Sequence, residues 1–234
     1  VITAVLTATG ISLVIVSGPL YRFEWLGLGG AIDLLRFGAM TSLVMAAISA
    51  IIAAICLFQR RARLALVGAL MMLAAVTAFA VPWSVQREGA GVPPIHDITT
   101  DPDDPPAFLD LAPARAAAPN AVDYPGEAFA RQQRAAYPDV APLELADTPA
   151  AAFRRAQRAA AEMGWEIVTA DPADGRIEAV ATTRWFGFRD DVVVRVTPTA
   201  DGSRIDVRSA SRVGRGDLGA NAARIRDYLR RMKD

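Results

Sequence analysis

The 234-residue chain balances 25 Lys and Arg against 25 Asp and Glu, which removes the basic footprint expected of a nucleic-acid binder. A single cysteine, Cys56, excludes an intrachain disulfide, and the overall hydrophobic share of 53% averages two unlike halves. Seven charged side chains (Arg22, Glu24, Asp33, Arg36, Arg60, Arg61 and Arg63) precede Trp83; the rest of the chain has the charge density of a water-facing domain.

Three uncharged apolar runs occupy the first part: Val1–Leu20, the 21 residues Gly38–Phe58 and the 20 residues Leu64–Trp83. A hydrocarbon core of about 30 Å takes about 20 apolar residues in a helix, so each run is long enough to span it. For the first run a signal peptide is the rival reading, with an apolar region of about 7–15 residues and a small-residue cleavage site. The run is longer than that, and Tyr21-Arg22-Phe23-Glu24-Trp25 follows it in place of a cleavage site. Tyr21, Trp25 and Trp83 fall where interfacial aromatic belts fall. No run contains the ionisable residues on which ion and proton pathways are built, which argues against a transporter or channel. Cys56 faces lipid or a neighbouring helix and reads as an inert buried thiol. Ala46, Ala50, Ala53 and Ala54 lie near one side of the second helix and permit close packing, within the chain or with another membrane protein.

The connector 59–63 carries three arginines in five residues, against two (Arg22 and Arg36) in the longer loop 21–37. The positive-inside rule then places the connector in the cytoplasm and everything after Trp83 outside it. The expected location is the bacterial inner membrane, with a periplasmic C-terminal domain.

From Ser84 to Pro149 the chain holds 11 of its 15 prolines, too many for long helices, in a stretch too long for an ordinary loop. Apolar islands at Ile95, Ile98 and Phe108 have no use in a free linker, so an extended arm wrapping onto a folded module is expected, with a short helix at Glu127–Ala136.

Thr148-Pro149 opens a helix whose stripe is Phe153, Ala156, Ala160 and Met163, and Gly164 ends it. Four strands follow at Trp165–Ala170, Arg176–Thr183, Asp191–Thr197 and Arg204–Ser211, with turn signals at Asp174-Gly175 and Asp201-Gly202. Val192, Val194 and Val196 share one face with Ile205, Val207 and Ser209 as the matching set; Arg195, Arg204, Asp206 and Arg208 make the other face polar. A last helix, about Leu218 to Lys233, carries Leu218, Ala222, Ile225, Leu229 and Met232 on one side, with Asp217 as its N-cap. The expected fold class is α+β: three transmembrane helices, then a two-layer module with a four-stranded antiparallel sheet and two helices on one face. The corresponding domains are an anchor over 1–83, an arm over 84–147 and a module over 148–234.

Pro94-Ile95-His96-Asp97-Ile98-Thr99-Thr100-Asp101-Pro102, Arg184-Trp185-Phe186-Gly187-Phe188-Arg189-Asp190-Asp191 and Ser209–Asn221 occur in that order. Together, over roughly residues 92–232, they resemble the uncharacterised bacterial and plastid family known as domain of unknown function 1499. The resemblance implies an envelope or membrane-associated protein and implies no reaction.

His96, the one histidine, lies near Asp97, Asp101, Asp103 and Asp104. A zinc site draws on His, Cys and carboxylate ligands in set geometry, and the prolines nearby do not match a calcium loop, so local turn hydrogen bonds are the favoured reading. Nucleophilic catalysis lacks a Gly-x-Ser-x-Gly elbow and a second histidine; only His96 folding back beside the Ser209–Asp217 loop would allow it. Arg212 and Arg215, with Gly214, Gly216 and Gly219, precede a helix N-terminus that favours anions, but Asp217 already occupies the anion position and Asp190 or Asp191 can pair the arginines. Trp185, Phe186 and Phe188 make an aromatic turn suited to a membrane surface, a partner groove or packing under the arm. The arginines of the last helix hint at acidic partners or anionic headgroups, with a solvated face as the default.

The expected function is a non-enzymatic, membrane-anchored accessory or assembly protein that braces another membrane or envelope complex, with no cofactor and no metal. Its expected contact residues are the charged sheet face (Glu178, Arg195, Asp206 and Arg208), the loop Arg212–Arg215 with Asp217, and Trp185. The alternatives are a module for a lipid headgroup or other anion, and a hydrolase dependent on His96.

Overall fold

In a computed structural model that describes residues 1–233, the three apolar runs fold as helices α1 (Ile2–Arg22), α2 (Leu28–Phe58) and α3 (Ala62–Gly89). Each is long and apolar enough to cross a membrane, the pattern of a multi-pass membrane protein. α2 has 31 residues, so at a rise of about 1.5 Å per residue it outruns the hydrocarbon core and absorbs most of the expected loop 21–37. Asp33 and Arg36 therefore lie on its first turns and leave the apolar stretch after them uncharged.

α1 and α2 cross where glycine allows it. A Cβ on Gly38 would come within 2.9 Å of the Gly10 carbonyl oxygen, and a Cβ on Gly10 within 2.9 Å of Ser42 Oγ. Of the alanines expected to pack, Ala46 is buried and Ala53 meets α3 at Gly68, whereas Ala54 is exposed.

Contacts divide the chain into two compact units: Val1–Glu88 with Arg184–Gly187, and Gly89–Thr183 with the chain from Phe188 onward. The second unit holds a six-stranded sheet: β1 (Asp97–Thr99), β2 (Leu143–Leu145), β3 (Glu166–Asp171), β4 (Arg176–Thr182), β5 (Arg189–Thr199) and β6 (Gly202–Ser211). Every pairing is antiparallel, in the order β1-β6-β5-β4-β3, with β2 also on β6. The four expected strands are present as β3 to β6. The two additional ones come from the proline-rich arm and share the outer edge of β6, β1 opposite Arg208–Ala210 and β2 opposite Ser203–Ile205. Thr100 bridges the gap, donating its N–H to Val207 O at 2.8 Å and accepting from Val207 N at 2.9 Å. The arm also forms α4 (Ala112–Ala116) and α5 (Glu127–Ala136).

On one sheet face lie α6 (Pro149–Glu162), capped by Thr148 Oγ1 at Ala151 N, and α7 (Ala220–Lys233). Their stripes, Phe153, Ala156 and Ala160 from α6 and Ala222, Ile225, Tyr228 and Met232 from α7, meet Ile177, Val192, Val194, Val196, Ile205 and Val207 in the main core. Trp165 stacks on Tyr228 with centroids 5.0 Å apart, and the Tyr228 hydroxyl donates to Ala156 O. The opposite face corrects the two-layer expectation. It is covered by the arm, with Phe108, Leu111 and Val122 packed on Val180, Val193 and Ala210. The unit is thus layered helices, sheet, arm.

Candidate functional site

The arm meets a face that alternation makes polar, and it does so with complementary charge. Asp191 of β5 is fully buried between two guanidiniums: Arg212 grips it through Nη2–Oδ1 at 2.7 Å and Nε–Oδ2 at 3.0 Å, and Arg115 of α4 donates to Oδ2 at 3.0 Å. Arg115 further donates to Ala210 O and Ala121 O. Arg208 of β6 forms a fork with Asp97 at 2.9 and 2.7 Å and donates to Pro106 O and Val122 O. The Phe108 ring lies between these arginines, 4.7 Å from the Arg115 guanidinium carbon and 4.6 Å from that of Arg208. Ring faces attract cations, most strongly out of water, so one aromatic joins two ion pairs.

Glu178 of β4 works through backbone. It accepts from the N–H groups of Leu109, Asp110 and Leu111 at 2.8, 3.2 and 2.8 Å and from Arg176, which also pairs with Asp110. Three main-chain donors that a loop would otherwise leave unpaired are thereby satisfied. The Arg176 hydrogen bond holds the Asp110 carboxyl below its ordinary value. Arg195 bonds Asp104 at 2.9 Å and Asp206 at 3.3 Å, and Arg204 bonds Asp101 at 2.6 Å and Asp206. Nearby, burial pushes the Tyr124 hydroxyl up to about 12.

The charged sheet face expected as a contact surface is therefore internal. Glu178, Asp206 and Arg208 are buried, and Arg195, although partly exposed, is spent on the arm. This is a correction with a plain cause: the arm supplies Asp97, Asp101, Asp104 and Asp110 to that face.

At the end of β6 the expected anion loop is built around Asn221. Its Nδ2 donates to His96 O and to Ser211 Oγ, both at 3.0 Å, while its Oδ1 accepts from Ser209 Oγ at 2.7 Å and from Arg224. Arg224 continues to Asp190 at 2.6 Å. Asp217 accepts from the N–H groups of Gly219 and Asn221, both at 2.8 Å, so it occupies the donors of α7's first turn; burial raises its carboxyl. Arg212 is taken by Asp191, as the pairing alternative anticipated. Arg215 is exposed and has no ion pair among the described residues.

His96 does fold beside this loop, its Nδ1 3.4 Å from Arg215 O and its ring edge-on to Phe129. Ser209 and Ser211 are held by Asn221 and Arg224, and no bond joins either hydroxyl to the imidazole among the described residues. The nearby aspartates make a local turn, with Asp101 Oδ1 accepting from the N–H groups of Asp103 and Asp104. Among the described residues no group of three metal-ligating side chains occurs. Trp185 is not under the arm: within the helical unit its indole N–H donates to Ile15 O at 3.1 Å, and Phe186 lies against Tyr21.

The exposed charge lies elsewhere. α6 carries three arginines and one carboxylate; α7 carries four arginines, Lys233 and one carboxylate. Carboxylates from other segments neutralise three of these cations, Asp147 with Arg155, Asp190 with Arg224 and Asp139 with Arg226. Arg154, Arg158, Arg230, Arg231 and Lys233 are exposed; Arg230 pairs with Asp227 and Arg231 lies 3.9 Å from Glu162, while Arg154, Arg158 and Lys233 have no ion pair among the described residues. Two clefts flank α7, one of about 540 Å³ against residues 139–143 and one of about 390 Å³ against α6. Sequence reasoning noted the arginines of the last helix but not the clefts, which arise only when residues 139–143 and α6 are brought to either side of it.

The family described as a protein of unknown function (DUF1499) matches residues 97–232, from β1 to the last turn of α7, and the chain belongs to this family. No curated protein matches the chain.

Proposed function

From that family membership, we propose that the chain is a membrane-anchored accessory protein, without enzymatic activity, whose C-terminal unit binds and stabilises another membrane or envelope complex. The observation that carries this reading is the division of charge. The polar groups of the sheet face and of the Asn221 cluster are engaged with one another and with the arm, whereas α6 and α7 present Arg154, Arg158 and Lys233 to solvent without an ion pair among the described residues. Engaged, buried groups rigidify a scaffold; exposed charges of one sign steer and orient a partner.

The arginine-rich turn Arg60-Arg61-Arg63 supports an orientation in the bacterial inner membrane that leaves the C-terminal unit periplasmic. A reporter fused at the C-terminus and active only in the cytoplasm would contradict it. For the function itself, the full-length protein is purified in mild detergent and what travels with it is identified. A stoichiometric membrane or envelope partner is expected; a chain that runs alone as a monomer contradicts the reading.

A further inference from the structure

We propose that the two clefts beside α7 form a docking face for an acidic, partly apolar segment of a partner protein, an inference that rests on the accessory reading and names its contact surface. The larger cleft has an apolar floor of Val140, Leu143 and Leu229; along its rim Arg226 pairs with Asp139 and Arg230 with Asp227, and Lys233 stands without an ion pair among the described residues. The smaller is lined by Arg155, Arg158 and Arg231 against one carboxylate, Glu162. Arg155, Arg224 and Arg226 pair with Asp147, Asp190 and Asp139, Arg230 with Asp227 and Arg231 with Glu162, so that Arg154, Arg158 and Lys233 are left without an ion pair among the described residues, an excess of three cations over α6 and α7 in a chain whose total charge is zero.

Charge complementarity sets the sign of the occupant, and shape sets its class. Guanidinium forks donate two parallel hydrogen bonds to a carboxylate. A cleft of about 540 Å³ with an aliphatic floor takes whole side chains, which a segment mixing apolar and acidic residues presents. A bilayer surface offers its headgroups to protruding residues and leaves such a floor uncovered. The observations therefore favour a polypeptide over a membrane surface. Because the rim charges are exposed, attraction acts mainly on encounter and weakens with salt.

The test uses the full-length protein in phosphatidylcholine nanodiscs, titrated with a fluorescent peptide of alternating Glu and Leu. The charge-reversed variant Arg158→Glu/Arg230→Glu/Lys233→Glu is compared with Arg131→Glu, an exposed arginine of α5 outside both clefts. The neutral variant Arg158→Gln/Arg230→Gln/Lys233→Gln and a salt titration of the wild type give the same reading without reversed charge. Expected are peptide binding to wild type and Arg131→Glu alike, a loss of about tenfold or more in the reversed variant, an intermediate loss in the neutral one, and weakening with salt. Equal binding by all variants overturns the proposal. So does recruitment of wild type to phosphatidylglycerol vesicles, lost in the reversed variant, when the peptide itself does not bind. If a natural complex co-purifies equally with wild type and the reversed variant, the accessory reading stands and this docking face falls. If nothing co-purifies yet the peptide binds through these residues, the face stands and the accessory reading falls.

Discussion

On the arm side of the sheet, Arg115, Arg208 and Arg212 have side-chain exposures of 0%, 3% and 15%, and each meets a carboxylate; on the helix side, Arg154, Arg158 and Lys233 are open to solvent. The residue chemistry is nearly the same on the two sides. What differs is whether another part of the chain arrives with carboxylates and apolar cover. The arm brings Asp97 to Arg208, Phe108 to both buried guanidiniums, and Arg115 to Asp191. A buried ion pair adds little net stability over an apolar substitute, but losing one partner is expensive because the other charge stays desolvated. The arm is thus fixed in one register, since any slip strands a charge.

The comparison breaks hardest at Asp191. Replacing it by Ala leaves Arg115 and Arg212 unpaired under the arm, and a loss of about 3–5 kcal/mol is expected in denaturant unfolding of the detergent-solubilised protein. Phe108→Ala removes the ring shared by two guanidiniums and should cost about 3 kcal/mol, read as a lower melting temperature with the strand signature retained. Asn221→Ala strips the Ser209–Ser211–Arg224 cluster of its centre, and a loss of about 1–3 kcal/mol is expected from the groups left unsatisfied. Arg158→Ala, on the open side, should change stability by no more than about 0.5 kcal/mol in the same assay. The smallest effect is in acid. Arg176 and Arg226 hold the Asp110 and Asp139 carboxyls below their ordinary value of 3.8, so these pairs contribute fully above that pH and are lost as pH falls beneath it. Asp139→Asn should flatten the drop in melting temperature on that limb; Asp217, raised by burial, contributes with the opposite sign, its share falling as pH rises past 3.8.

The sequence was most legible where periodicity is long. The three apolar runs, the alternation of β5 and β6 and the Ala222, Ile225 and Met232 stripe of α7 all follow from spacing, and the short helix at Glu127–Ala136 formed as expected; Leu218, expected in that stripe, lies exposed at positive φ before the helix begins, and Tyr228 fills the core instead. β1 and β2 did not announce themselves, because three residues carry too little alternation to mark a strand and their state is decided by the free edge of β6. The misplaced contact surface has a related cause. Alternation correctly put Arg195, Asp206 and Arg208 on one face, but period alone does not distinguish water from a covering arm. The signal available was the arm's own Phe108, Leu111 and Arg115, whose apolar and charged character complements that face. Arg212 pairing with Asp191 was legible as a possibility; Arg115 as its second partner, from a segment 76 residues away in sequence, was not.

Whether the arm is a fixed layer of the fold is tested most directly by hydrogen exchange on the full-length protein. The amides of Thr100, Leu109 and Leu111, which donate to Val207 O and to Glu178, should be protected to the same degree as the paired amides of β5 and β6. Exchange of those three amides at the rate of an open linker, with β5 and β6 still protected, would contradict the account.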